Sequence, residues 1–492
     1  MSAHEKELAQ LRGGSLSLKD VIAQSVGFNG PVFSVAALLP LVVVASQTGK
    51  GAGVATPIVV IIVGIGMLAV YWIISRYAKR IHACGALYDY VGDGFGQRAG
   101  FLAGWVYYAA TTALWLATVL AFGGFANGFL LSVFGLDVSW WILSLIFLAG
   151  TTAVLVLGVR VSTRAQLALV LVSALVVFGF SLSVIFQGGN DGLSLAPLNP
   201  TAVSFSDLFY GFVYAILMYV GIESAANMAE ETSEPKKSIP RAIMLALGLI
   251  GVYFFVCAYS QAVGFGLHAK VWASAGGGFP LFALGSGQFG SKALGDALQL
   301  MVVFDVAAVT IGAGNATSRG LLSMARDGRL SRRLARVHAR HATPVTAIGL
   351  LVGLSALLIV LIATTDGLLS RATPDPTALL PQWFPMFSWL AAFGGLGITL
   401  VYLVVSLAAI RGLWELEHKG LLTLAGVVGA AVSVGAIFGA VYKAPSPLDV
   451  VPWVMLAFIV LGALWLGVLV SRGPLEAGDL SPATDDLPMQ AS

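Results

Sequence analysis

Charge is what this chain has least of. Only 10% of its 492 residues are Asp, Glu, Lys or Arg, while 58% are hydrophobic and the mean hydropathy is +0.89. A soluble domain carries about a quarter of its residues as charged side chains, so this chain cannot cover a water-facing surface. Cysteine is scarce too. Cys84 and Cys257 lie in unrelated segments, which indicates neither a disulfide framework nor a metal cluster. No G-x-x-x-x-G-K-S/T occurs, so the phosphate cradle of an ATP-driven pump is missing. Short alternating strands of the kind that build a membrane barrel are not visible either.

What the sequence has instead is apolar blocks of roughly 20 residues, each long enough to cross about 30 Å of hydrocarbon as a helix. With no water to bond the backbone, such blocks must be helical. Twelve are read, at 21–46, 57–75, 99–130, 138–157, 165–187, 208–228, 241–267, 293–318, 343–364, 383–410, 420–442 and 450–471. The third and tenth are long, which predicts tilt or extension past the lipid. Residues 1–20 are polar and mixed in charge, unlike a cleavable signal peptide, so the first block is expected to be a retained helix. Residues 472–492 are acidic, Pro-bearing and without periodicity, and are expected to be a disordered tail.

The net charge of +3 is distributed unevenly. Arg76, Lys79, Arg80 and Arg98 follow span two, Arg160 and Arg164 span four, and Lys236, Lys237 and Arg241 span six. Seven arginines from Arg319 to Arg340 follow span eight, Arg411 and Lys419 span ten, and Arg472 the last. The opposite loops hold Lys50, Lys270, Lys292, Arg371 and Lys443. The positive-inside rule then predicts a multi-pass inner (cell) membrane protein with both termini cytoplasmic. The run Arg326–Arg340 is read as an anchor on the inner leaflet, in the form of a short helix, rather than as a nucleic-acid patch.

Two spans are interrupted. In span one, Gly27-Phe28-Asn29-Gly30-Pro31 sits in an otherwise apolar block. Gly30 loosens the chain, and Pro31 cannot continue a helix but suits the first turn of a new one. The expected helix unwinds around Phe28 to Gly30 and restarts at Pro31, turning free N–H groups toward the gap in a way that suits a carboxylate. In span six, Tyr219-Val220-Gly221-Ile-Glu223 places a glycine and an acid in the apolar run. If the chain holds two five-helix halves, spans one and six correspond, and paired breaks mark the central site of a transporter.

The segment GIESAANMAEETSEPKKSIPRAI resembles the helix-six block of the amino acid–polyamine–organocation superfamily. Two further blocks are similar to it: SRGLLSMARDGRL with VHARHATPVTAI after span eight, and GALYDYV with GFLAGWVYY at the entry to span three. The resemblance implies an all-α integral membrane protein with a five-plus-five inverted repeat, broken helices 1 and 6, and two C-terminal helices. The halves would be 21–187 and 205–411, followed by helices 11 and 12 in 418–471. It implies secondary transport of an amino acid or related amine, with no cofactor, and with Phe28, Asn29, Gly30, Tyr219, Val220 and Gly221 around the ligand. One departure is Asn29-Gly30-Pro31 where many members read G-S-G, because Pro31 removes a donor from the expected anion nest.

An ionised carboxylate at bilayer depth is costly unless paired or wet, which makes each one a functional candidate. Glu223, just past the second break, is expected to carry or sense a proton through desolvation of its carboxyl. Asp305 lies about 20 Å from the inner edge of its helix, past the midplane, and either meets a substrate amine or faces a wet outer vestibule. Tyr108 with Tyr107, Thr111 and Trp115 on span three are candidates to line or gate the site, against the alternative of packing. Thr310, Asn315, Thr317 and Ser318 offer oxygens for a cation or serve as interhelical glue. The region around Ser173 lacks the lysine of related proton-coupled proteins. His82, His268, His338 and His341 are read as solvated.

Asp89 and Asp93 lie close in YDYVGDG, but in a loop beside Arg80 and Arg98, so an intramembrane protease is disfavoured. Proton symport is the first expectation, exchange the second, with sodium symport, a channel or a nutrient receptor as further alternatives on the same scaffold.

Overall fold

The computed structural model describes residues 11–44, 51–277, 279–365, 382–442, 444 and 447–473. Lys50, Arg371, Lys443 and the expected disordered tail beyond Gly473 lie outside them. Among the described residues twelve helices are long and apolar enough to cross a membrane, and they match the twelve expected spans. They are α1 Leu18–Val43, α2 Gly53–Tyr77, α3 Gln97–Phe134, α4 Trp140–Leu157, α5 Val159–Phe186 and α6 Asp207–Glu231. The second six are α7 Pro235–Gly264, α8 Lys292–Arg326, α9 Val345–Thr364, α10 Phe384–Gly412, α11 Lys419–Val441 and α12 Leu448–Ser471. The only β pairing among the described residues is one isolated bridge, Leu16 to Thr232.

Burial sorts the helices into a centre and a rim. In the apolar window of α1, 89% of residues are buried, and 78%, 72% and 71% in α8, α10 and α6, against 17% in α12 and 28% in α4. The interrupted helices therefore lie at the heart of the bundle, wrapped by those that face lipid. Small residues let the central helices approach closely: a Cβ on Gly394 of α10 would fall 2.7 Å from Leu114 of α3, and one on Gly312 of α8 2.7 Å from the Phe28 backbone. α3 is the longest at 38 residues, about 57 Å of helix, and so extends past the hydrocarbon as expected.

Three local expectations are corrected. Asp89 and Asp93 sit on a short helix, Leu87–Phe95, rather than in a loop; Asp93 pairs with Arg80 at 3.3 Å while Asp89 is buried. The apolar face of Leu87, Tyr88, Tyr90 and Val91 explains this, since it packs under the bundle. His82 is buried too, carried inward by the same packing, whereas His268 is exposed. The arginine-rich run after α8 forms only a four-residue turn, Arg332–Ala335, instead of a surface helix.

Candidate functional site

The first break is sharper than expected. The helix that begins at Leu18 behind a Ser17–Asp20 capping box runs through Asn29, and Gly30 alone turns left-handed, at φ 62°. Pro31 opens the restart, which continues through 31–43 with a π-turn at Ser34–Leu38. Pro40 lacks the N–H that would bond the Ala36 carbonyl, and so accounts for that turn. In α6 the helix Phe205–Tyr219 ends at an extended Val220, Gly221 turns at φ 104°, and ten residues of 3₁₀-helix follow, Ile222–Glu231.

The two breaks face each other. Asn29 Nδ2 donates to the carbonyls of Met218 at 2.6 Å and Val220 at 2.9 Å. Ser25 Oγ donates to the Ile222 carbonyl at 2.8 Å, and Gln24 Nε2 to Ser224 Oγ at 3.2 Å. A Cβ on Gly221 would come within 2.8 Å of the Phe28 and Asn29 backbone, so only glycine allows this contact. Asn29 Oδ1, buried between the breaks, has no hydrogen-bond partner among the described residues. Phe28, Gly30, Pro31, Tyr219, Val220 and Gly221 are all buried around the same point, with Tyr219 Oη donating to the Val60 carbonyl at 3.1 Å.

Glu223 is the hub of a hydroxyl network. Its Oε2 accepts from the Gly221 N–H at 2.9 Å and meets Tyr71 Oη at 3.0 Å, and its Oε1 meets Tyr107 Oη at 3.1 Å. Tyr71 Oη also lies 2.6 Å from the Tyr219 carbonyl and 3.0 Å from Tyr402 Oη. Tyr71 has one proton for these oxygens. When it points at the Tyr219 carbonyl, the Glu223 contact is satisfied by a protonated carboxyl; when it points at Glu223, by a carboxylate. The arrangement accepts both protonation states without moving a heavy atom. It also joins α6 to α2, α3 and α10 through one side chain.

Asp305 sits against the restart of α1. Its Oδ2 accepts the Phe33 N–H at 2.8 Å, its Oδ1 accepts from Ser173 Oγ of α5 at 3.3 Å, and the residue is fully buried.

Tyr108 goes elsewhere. Its hydroxyl donates to the Gly85 carbonyl at 2.7 Å and accepts from Asn227 at 3.1 Å, toward the arginine-rich end, while its neighbour Tyr107 reaches Glu223. At that end the three sequence blocks quoted above converge. Arg319 and Glu231 form a fully buried ion pair between α8 and α6, and Arg326 pairs with Glu230 at 2.7 Å. The Cys84 N–H bonds Glu230 at 3.1 Å, Asn227 bonds the Cys84 carbonyl at 2.8 Å, and Tyr88 bonds Asp327 at 2.7 Å. Leu16 pairs with the end of α6 through Glu231 and Ser233. Burial, reinforced by Asp327 and Glu230, pushes the Asp89 carboxyl well above the usual carboxylate range. Burial likewise raises the Cys84 thiol.

On the other side of the break in α1, Phe33 stacks edge-on against Phe125 and Phe387, and Trp383 contacts Phe125, Phe384 and Phe387. Asn315 bonds Gln24 and Ser162, whereas Thr310 and Ser318 bond carbonyls of their own helix. No group of three or more His, Cys, Asp or Glu able to hold a metal occurs among the described residues.

Set against known proteins, this arrangement has a family. The model of the family described as amino acid permease matches residues 29–465, from the first break to within α12. The chain belongs to the amino acid permease family. Among its relatives, the branched-chain amino acid permease BcaP of Bacillus subtilis is 23% identical over 63% of this chain and 69% of its own length. An uncharacterized transporter of Mycobacterium tuberculosis is 27% identical over 74% of each chain. The D-serine/D-alanine/glycine transporter of Escherichia coli K12 is 25% identical over 51% of this chain and 54% of its own. The permease is thus a multi-pass membrane protein and an amino acid transporter.

Sequence reading missed Tyr71 and Tyr402 as functional residues of this permease. Tyr402 is a hydroxyl in the middle of an apolar span, away from the interfaces where tyrosine usually sits, and that placement was an available signal; Tyr71, six residues from the end of α2, offered none. Their common partner is visible only once α2 and α10 are packed on α6.

Proposed function

We propose that this permease imports an amino acid by alternating access, binding it where the breaks of α1 and α6 meet and coupling its movement to a proton on Glu223. The observation that carries the reading is the facing of the two breaks, with the buried, partnerless Asn29 Oδ1 between them. That oxygen offers an acceptor for a substrate ammonium, and the turn after Gly30 directs helix N–H groups toward a carboxylate. Both ends of an amino acid then find buried partners at the facing breaks.

Glu223 supplies the coupling. It connects the broken α6 to α2, α3 and α10, and protonation redistributes the hydrogen bonds on which that connection depends. Helices α1, α2, α6 and α7, two from each of the five-helix halves 21–187 and 205–411, rock against the remainder, with 418–471 outside both halves, and so expose the site to either side. The arginine and glutamate cluster at one end and the aromatic cluster at the other are the closures that such rocking must open in turn. The arginine-rich end faces the cytoplasm in this reading, as do both termini, in the cell membrane. Glu223→Gln tests the coupling: in proteoliposomes it should retain exchange of labelled amino acid against unlabelled amino acid and lose accumulation driven by an inward proton gradient. Undiminished proton-driven accumulation in the variant would remove Glu223 from the mechanism.

A further inference from the structure

Asp305 is a fully buried carboxylate with no cation beside it among the described residues, and it occupies donors that the substrate would need. Three observations define its position. Its Oδ2 takes the Phe33 N–H at 2.8 Å. Pro31 has no N–H, and the N–H groups of Gly30 and Ser34 are committed to the Val26 and Gly30 carbonyls, so Val32 and Phe33 are the first-turn donors of the restart. A Cβ on Gly30 would lie 3.3 Å from Asp305 Oδ2, which places the carboxylate against the break itself.

The surroundings of Asp305 are neutral. From α5 it meets Ser173 Oγ at 3.3 Å. From α7 it faces Tyr253, with Cys257 next to that ring. From α1 it meets the Phe33 N–H, and no charged residue occurs in 21–43. α3, α4, α5 and α9 carry no Asp, Glu, Lys, Arg or His inward of Arg98, Arg160 and Arg164, all at the arginine-rich ends of their helices. On α8 the next cation inward is Arg319, about 20 Å along the helix and engaged with Glu231, and Asp296 on the outer side is paired with Lys292.

An ionised Asp305, which engages the Val32 and Phe33 N–H groups, and a substrate carboxylate therefore compete for the same first-turn donors, in a place where no cationic side chain among the described residues offsets two negative charges. We propose that Asp305 is a second proton-binding site of this permease, and that the substrate carboxylate docks at the restart of α1 only when Asp305 is protonated. The proposal rests on the reading that an amino acid binds at the facing breaks. Its balance is simple. A proton from the outer aqueous side forms an O–H bond on the Asp305 carboxylate, which releases the Phe33 N–H to the substrate. When the substrate leaves on the inner side the O–H bond breaks, the proton goes to water, and the carboxylate retakes the N–H. Asp305 thus sets the proton requirement of binding, whereas Glu223 acts on the connection between helices.

The test is equilibrium binding of labelled leucine and glycine to the purified full chain in detergent across a pH series, without sodium, for the wild type and Asp305→Asn. In the wild type the dissociation constant should be flat at acid pH. It should then rise roughly tenfold per pH unit above the titration of Asp305, the slope for one linked proton. Asp305→Asn, neutral at every pH, should bind at the wild-type acid affinity with no such slope. A wild-type dissociation constant that does not change with pH overturns the proposal whatever the variant does, as does tighter binding at higher pH, which would mark Asp305 as the partner of the substrate ammonium. Sodium that restores binding at alkaline pH overturns it in favour of a cation site. Wild-type protein that binds neither amino acid at any pH, yet binds a polyamine, which has no carboxylate, removes the amino acid reading and this proposal with it. Binding that is sound but independent of pH removes the role of Asp305 alone.

Discussion

Asn29 does two things with one amide. Its nitrogen joins the α6 break to α1 through the Met218 and Val220 carbonyls, and its oxygen is left over for the substrate. Asn29→Ala removes both hydrogen bonds and strands two buried carbonyls, at a cost of about 2 kcal/mol. Thermal unfolding in detergent should show a lower midpoint, and substrate binding should weaken in parallel. Asn29→Asp separates the two roles, because it keeps an oxygen but loses the donor. Unchanged stability in Asn29→Ala would mean that the amide does not hold the breaks together. The residues at the breaks could be named from sequence because Gly, Pro and Asn stand out in an apolar block. The hydroxyls of Tyr71, Tyr107 and Tyr402 could not be assigned to Glu223, since nothing along the chain tells one buried tyrosine from another.

At the scale of elements, the arginine-rich ends of α6 and α8 are tied by Arg319 and Glu231, each about 1% exposed. Taking two charges out of water is expensive, and their attraction offsets that expense only while both partners are present. Glu231→Gln should therefore destabilise the permease by about 3–5 kcal/mol, by leaving an uncompensated buried guanidinium. The pair Arg319→Met with Glu231→Leu should regain most of that stability, and comparing melting temperatures of the single and double variants measures the difference. A double variant as unstable as the single one would show that the two side chains do not act as a unit. The blocks that carry these residues were conspicuous in the sequence, but their meeting place was not. Glu230, Glu231, Arg319, Arg326, Tyr88 and Asp327 come from three distant segments, and only the packing of α6 and α8 over the short helix Leu87–Phe95 brings them together. That helix itself read as a loop, because a nine-residue amphipathic pattern between two spans is too short to assert itself against the glycines and charges around it.

For the whole molecule, twelve helices with the most interrupted ones at the centre are what an apolar chain must form when its polar atoms cluster at two points. The count and approximate bounds of the spans followed from block length alone, since the thickness of the bilayer sets both. Which helices form the centre did not, because α4 and α8 are similarly apolar and differ in what packs around them. In the proposed mechanism these polar points move an amino acid by drawing on a proton gradient. The most direct measurement is uptake of labelled amino acids into proteoliposomes under an inward proton gradient, without sodium, with and without a protonophore. Accumulation above equilibrium that the protonophore abolishes is the predicted result; equilibration without accumulation, by protein shown to be folded, would contradict it.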